Sequence, residues 1–411
     1  MTGQIVIVGA GVAGATAAKT LRAEGYSGRI VLIGAEDALP YRRPMVSKEM
    51  LAGTAAERRT LLDSAESWRD KDIELRTGVR VEGIDTERGH IRLAAGETLG
   101  YDRLLLATGA RARSLPAPQR NVHTLRGAAD IGPLRAAIDA GKSLLIVGGG
   151  LIGCEVAATA RSLGAEVTVV HAGSAPLDRV APPSVGSFYR KLHADNGVEI
   201  LDEVTLTRLE GREDGVTATA RDGRSWSAGV ALIAIGSVPD TDLAAAAGLA
   251  VDDGILVDEH YRTSAPGVYA AGDAANRFDP DLGAHERTEH WNSALAHGAA
   301  AARSMLGKPA ARRDVSWGWS TQYGLNMQFA GRLRHDDDFV LRGTLAEPNF
   351  TVLALRHRRL VGAVAIARPS DIRAARELIG HGAVLDLVAW SDESLDLAEL
   401  VARHSVGAAQ R

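Results

Sequence analysis

The sequence carries one unusual pattern twice, and few folds accommodate it. An apolar run, Ile5-Val6-Ile7-Val8, leads straight into Gly9-Ala10-Gly11-Val12-Ala13-Gly14, then a helical pattern to about Glu24, then a second apolar run, Ile30-Val31-Leu32-Ile33. Later, Leu144-Leu145-Ile146-Val147 leads into Gly148-Gly149-Gly150-Leu151-Ile152-Gly153. A helical stretch from about Glu155 to Leu163 follows, closed by Gly164, and then the strand-like Val167-Thr168-Val169-Val170. Strand, Gly-rich turn, helix and strand within about 30 residues make a βαβ unit of the dinucleotide-binding type. A lone G-x-G-x-x-G arises often by chance. One that follows a strand and opens a helix is specific.

Each glycine has a physical task. Gly9 and Gly148 allow the tight turn. Gly11 and Gly150 let backbone approach a pyrophosphate, and Gly14 and Gly153 let helix and strand pack closely. The helix start then offers free N–H groups and a positive dipole end to the phosphates. After the first unit, Glu36, with Asp37 beside it, is placed to hydrogen-bond a ribose hydroxyl. At the equivalent place the second unit has His171. A carboxylate there would repel a 2′-phosphate and select NAD, so His171 leaves NADH and NADPH both open. Glu155 is expected at the first turn of the second helix, toward the nicotinamide end. Gly272-Asp273 ends another strand-like run, and its carboxylate can accept a hydrogen bond from a polyol chain.

The rest of the composition narrows the field. A chain of 411 residues suits two or three domains, and a net charge of −4 disfavours nucleic acid as partner. No run of 18 apolar residues exists, so no membrane span is expected, and the start on a buried-strand pattern reads as a cytoplasmic protein. Cys154 is the only cysteine, which excludes an internal disulfide, an Fe–S cluster and a Cys-rich zinc site. No metal site is expected, and chemistry must come from an organic cofactor and ordinary side chains.

The expected fold is α/β: two Rossmann-like dinucleotide-binding domains plus a C-terminal α+β domain. The first domain is discontinuous, 1–112 and 238–315, and the second is 113–237. The C-terminal domain is 316–411, with strands at Met327–Ala330, Phe339–Arg342, Thr351–Arg356 and Leu360–Ala367 and a helical tail at about 370–404. An Ala-rich helix is expected at about 290–306. Ala13, Val81, Thr108, Gly109, Ile152 and Gly236 complete the expected cofactor contacts.

In the order of these motifs the chain resembles the FAD-dependent ferredoxin reductases that serve bacterial cytochromes P450 and ring-hydroxylating dioxygenases. Apoptosis-inducing factor shares the pattern. Leu39-Pro40-Tyr41-Arg42-Arg43-Pro44-Met45-Val46-Ser47-Lys48 resembles the family's LPYxRPPLSK segment, which implies Pro44 and Lys48 beside the flavin ring and Arg43 near the cofactor. Thr124-Leu125-Arg126 with Asp130 resembles a turn whose arginine reaches FAD. Gly272-Asp273 matches the pair that binds the ribityl chain. Glu289-His290-Trp291 opens a helix whose N-terminus points at the flavin's pyrimidine end, where its dipole would favour the reduced anion. Trp317-Gly318-Trp319-Ser320-Thr321-Gln322-Tyr323 is similar to W-x-W-S-D-Q-Y, implying Trp319 near the flavin. Met45, Thr321 and His171 depart from the commonest family residues.

The resemblance implies FAD and NADH as cofactors and electron delivery to a small iron–sulfur ferredoxin, indirectly serving a P450 or dioxygenase. Lys48, paired with Glu155, would tune the flavin's charge and place the nicotinamide. Disulfide reductases of this fold put redox cysteines near segment 40–50, and this chain has none there. Electrons are therefore expected to leave from the flavin itself. Arg42, Arg43, Arg312, Arg313, Arg332 and Arg334 are candidates for docking an acidic ferredoxin, and a monomer is expected. The alternatives are an NADH-sensing flavoprotein resembling apoptosis-inducing factor and an NADH reductase of a small-molecule acceptor.

Overall fold

The computed structural model describes residues 3–115, 119–280, 282–309, 315–385 and 387–408. The chain divides into two compact units. One comprises 1–44, 55–111 and 237–313; the other comprises 45–54, 112–236 and 314–411.

The first unit is built on a five-stranded parallel sheet in the order Val268–Ala270, Arg103–Leu106, Gln4–Val8, Arg29–Ile33, Ile73–Arg76. The inner strands read as unbroken apolar runs because both faces are covered: Ile5, Val6, Ile7, Ile30, Val31, Leu32 and Leu104 are buried. The helix Val12–Ala23 crosses between the strands Gln4–Val8 and Arg29–Ile33. A three-stranded antiparallel sheet, Val81–Asp85, His90–Leu93 and Thr98–Gly100, lies in the same unit.

The second unit repeats this plan. Its parallel sheet runs Val198–Leu201, Val167–Val170, Leu144–Val147, Val230–Ile233, Val122–Thr124, with the Gly-bearing strand again central. A three-stranded antiparallel sheet, Leu206–Gly211, Val216–Ala220 and Ser225–Ala228, is again present. This unit also holds the C-terminal antiparallel sheet, ordered Trp317–Gln322, Leu325–Gly331, Arg359–Ile366, Asn349–Arg356, Asp338–Thr344. The helix Pro369–Gly380 packs on that sheet through Ile372, Ala375 and Leu378. Cys154, Val185 and Tyr189 share one apolar core with Met327, Phe329 and Phe350, so the C-terminal sheet and the second Gly-rich half pack as one body.

The structure differs from the sequence expectations in three places. The second Gly-rich helix is Leu151–Ser162, starting straight after Gly150. Glu155 therefore stands on its second turn, past the reach of first-turn dipole effects. The tail is three helices, Pro369–Gly380, Leu387–Ser391 and Leu397–Ala408, because Gly382 adopts φ +66° and interrupts the first. The Trp-rich segment is a strand, Trp317–Gln322, on one edge of the C-terminal sheet. Among the described residues no helix is long and apolar enough to cross a membrane.

Candidate functional site: two dinucleotide cradles and a buried ion pair

The two Gly-rich turns have nearly the same backbone. Gly9 has φ +110° and Gly148 φ +115°, a region that L side chains rarely adopt. A Cβ on Gly9 would overlap the carbonyl oxygen of Ala107, and one on Gly148 that of Ala234. A Cβ on Gly14 would overlap the Gly9 carbonyl, and one on Gly153 the Gly148 carbonyl. These positions are packed shut. Gly11 and Gly150 are the reverse, since a Cβ on either would meet nothing within 4 Å. Both are helix N-caps without a side-chain cap, so the first-turn N–H groups face an open cradle. That arrangement fits a pyrophosphate in each unit.

Around the first cradle the tertiary structure gathers residues from distant segments. Glu36 follows the strand Arg29–Ile33 and accepts from Tyr41 Oη (2.7 Å) and Arg43 Nη2 (2.5 Å). The Arg43 guanidinium also lies over the Tyr41 ring, 5.1 Å from its centre. Burial works against the Arg43 charge, but Tyr41, Glu36 and Asp273 outweigh it and hold the guanidinium above its ordinary pKa. Asp37 is exposed beside Gly78. The turn Gly272–Ala274 comes so close that a Cβ on Gly272 would sit 2.8 Å from Ala13 Cβ, which brings Asp273 to the Gly-rich turn. The helix Trp291–Met305 packs along Val12–Ala23, with Gly298 against the Ala13 carbonyl. His290 is its N-cap and makes no side-chain cap hydrogen bond. Burial lowers the His290 pKa, with Asp273 and Glu289 acting the other way. Thr108 Oγ1 donates to Asp240 O (2.6 Å), and Gly109 O accepts from Asp240 N–H (2.9 Å). Pro44 lies in the short turn Arg43–Met45, and Val81 begins the strand Val81–Asp85.

In the second unit the segment Val46–Met50 forms a single turn kinked at Lys48 and docks on the helix Leu151–Ser162. Thr159 Oγ1 donates to Ser47 O (2.8 Å), and Arg135 Nη1 donates to Leu51 O (3.0 Å). This docking places Lys48 Nζ 2.6 Å from Glu155 Oε2, with the Glu155 side chain only 4% exposed. Ser47 Oγ donates to the same oxygen (2.5 Å), and Ser320 Oγ donates to Oε1 (2.8 Å). Three donors satisfy the carboxylate, which is what a buried anion requires.

The polar chain continues outward. Gln322 Nε2 donates to Ser320 Oγ (3.1 Å), His193 Nε2 meets Gln322 Oε1 (2.8 Å), and Tyr323 Oη meets His193 Nδ1 (3.0 Å). Burial pushes the His193 pKa down, partly offset by Gln322, and pushes the Tyr323 phenol up. Ser47, Ser320, Gln322 and His193 were not anticipated from sequence. Alternation along a strand puts Ser320 and Gln322 on one face, a usable signal had 317–322 been read as a strand.

The remaining sequence candidates are distributed as follows. The Asp130 carboxylate accepts the backbone N–H groups of Arg126 and Gly127, both at 2.8 Å, which shapes the turn that carries Arg126. Trp319 is half-buried, its ring 6.0 Å from that of Trp317. Ile152 stands on the first turn of its helix, 43% exposed, an apolar side chain facing outward above the cradle. Gly236 directly follows the sheet strand Val230–Ile233 by a short turn. His171 Nδ1 accepts the Gly149 backbone N–H (3.1 Å). Cys154 is fully buried and bonds the Gly149 carbonyl (3.3 Å), and burial raises its thiol pKa, so it stays protonated. Among the arginines, Arg42 and Arg334 are exposed, Arg43 is held by Glu36, and Arg332 is half-buried. Arg312 and Arg313 lie outside the described residues. Among the described residues no cluster of three His, Cys, Asp or Glu is placed to hold a metal ion.

Comparison with known proteins agrees with this geometry. Residues 3–298 match the family described as pyridine nucleotide-disulphide oxidoreductase, and residues 317–401 match the reductase C-terminal domain. The ferredoxin–NAD(+) reductase component of the anthranilate 1,2-dioxygenase system of Burkholderia cepacia is 39% identical, over 95% of this chain and 98% of that one. Putidaredoxin reductase of Pseudomonas putida is 34% identical, over 97% of this chain and 96% of that one. The solved covalent putidaredoxin reductase–putidaredoxin complex superimposes with a TM-score of 0.93 at 33% identity, covering 98% of this chain and 99% of that one. This chain belongs to the pyridine nucleotide-disulphide oxidoreductase family, with a reductase C-terminal domain.

Proposed function

We propose that this chain is the FAD-containing, NADH-oxidising reductase of an electron-transfer chain whose acceptor is a small iron–sulfur ferredoxin serving a dioxygenase or P450. The observation that carries the reading is the pair of matched cradles together with a buried Lys48–Glu155 pair where disulfide reductases would place a thiol. When bound, FAD supplies the exchange between a two-electron hydride donor and one-electron acceptors. The 1–112 and 238–315 segments would hold it, through Gly9, Gly11, Ala13, Gly14, Glu36, Arg43 and Asp273. The 113–237 segment would hold the nicotinamide coenzyme through Gly148, Gly150, Ile152 and Gly153.

Lys48 places a positive charge that Glu155 holds in one orientation. Ser47 and Ser320 prevent the carboxylate from turning away when the lysine moves. Cys154 is buried and protonated, so it takes no part in thiol chemistry. The protein is read as a cytoplasmic monomer. The acceptor is tested by stopped-flow reduction with NADH, then cytochrome c reduction with and without an iron–sulfur ferredoxin. Rapid reduction followed by ferredoxin-dependent turnover is expected. Turnover independent of ferredoxin, or a long-lived reduced complex that no ferredoxin reoxidises, would overturn the reading.

A further inference from the structure

The strand Val167–Val170 ends at His171, where the usual ribose-binding carboxylate is missing, yet the loop beyond it brings a carboxylate back. Leu177 adopts φ +64°, and its N–H donates to Gly149 O (2.8 Å), so the chain from Ala172 to Leu177 folds down onto the Gly-rich turn. The next residue, Asp178, then lies with Oδ2 3.3 Å from His171 Nε2. Asp178 is so close to Gly173 that any side chain there would overlap its carboxylate. The His171 ring is held on its Nδ1 side, and its Nε2 lies near Asp178 without a hydrogen bond. Its Nδ1 accepts the Gly149 N–H, so the proton of the neutral ring sits on Nε2, facing Asp178. Two arginines lie near this loop. Arg190 is paired with Asp202 and donates to Ser174 O (3.1 Å), and the Arg179 guanidinium lies toward Gly236.

We infer that Asp178 is the residue that selects NADH against NADPH, its carboxylate standing in from the following loop for the acid absent at His171. The inference rests on the proposed reductase function. A 2′-phosphate entering beside the Gly149 amide would meet the Asp178 charge. A 2′-hydroxyl would meet an acceptor.

The test is titration calorimetry of the FAD-loaded protein with NAD+ and NADP+, which reads binding and not turnover. Wild type is expected to bind NADP+ at least about 30-fold more weakly than NAD+, and Asp178→Asn to narrow that ratio by about tenfold, the size of one lost charge repulsion. NAD+ affinity should change less than about threefold, because the asparagine keeps an acceptor. Asp178→Ser serves as a second variant of smaller volume. An unchanged ratio in both variants overturns the inference. So does a His171→Ala variant that loses NADP+ affinity selectively, because His171 would then be a phosphate ligand. Wild type that binds neither coenzyme would remove the reductase reading itself, a result distinguishable from an unchanged ratio.

Discussion

In the first Gly-rich unit the strand after the helix leads to Glu36, a carboxylate shared by Tyr41 and Arg43; in the second it leads to His171, drawn back onto the Gly149 amide. The turns themselves hardly differ. Both have a left-handed first glycine, an open second and a jammed third. The contrast separates two kinds of recognition. A pyrophosphate is bound by backbone N–H groups and a helix start, so its cradle is set by glycine geometry and is repeated unchanged. The groups beyond the phosphates are told apart by side chains, and there the two units diverge. Around the first cradle the Gly272 turn and the helix Trp291–Met305 close in; beside the second helix lies the Lys48–Glu155 pair.

The comparison breaks most visibly if the open glycines are filled. Gly11→Val should yield protein without FAD, seen as loss of flavin absorbance. Gly150→Val should keep FAD and lose NADH affinity by roughly 100-fold, the sum of two phosphate hydrogen bonds at about 1–1.5 kcal/mol each. FAD loss in Gly150→Val would mean that the assignment of the cradles is reversed.

A smaller effect is expected at the ion pair. Lys48→Met should slow reduction by NADH about tenfold while FAD stays bound. It should also lower stability by up to about 3 kcal/mol, the low end for a broken buried pair because Ser47 and Ser320 still hold Glu155. Unchanged stopped-flow reduction would remove the role given to Lys48.

The first unit also holds a fully buried histidine whose protonation is linked to stability. Burial, with Arg277 nearby, pushes the His297 pKa down to about 4 from its ordinary value of about 6.5. The unfolded chain therefore takes up a proton that the folded chain refuses between those values. Stability is complete above about pH 6.5 and falls as the pH drops toward 4, by up to about 3 kcal/mol. Thermal unfolding midpoints against pH should show this slope, and His297→Gln should lessen it.

The smallest effect belongs to Cys154. Cys154→Ala should cost about 1 kcal/mol for its buried sulfur contact and leave ferredoxin-dependent turnover intact. A collapse of turnover would bring thiol chemistry back into consideration.

Much of this was legible in the primary sequence. The glycine spacing alone determined both cradles, because their backbone is local: a φ near +110° and a helix starting three residues later need only the right glycines in order. The unbroken apolar strands likewise announced buried parallel sheets. Segment 40–50 looked like part of the first nucleotide-binding half, yet Val46–Met50 packs on the helix of the second unit. The three donors on Glu155 come from positions as far apart as Ser47 and Ser320. No local pattern encodes such a meeting, because it depends on which surfaces bury each other. His171 shows the same division. Its position at the end of a strand was plain from the sequence, and that residue left NADH and NADPH both open, with NADH implied only by the family resemblance. Only a chain reversal at Leu177 brings Asp178 to the imidazole, and a charge acts through space rather than along the chain.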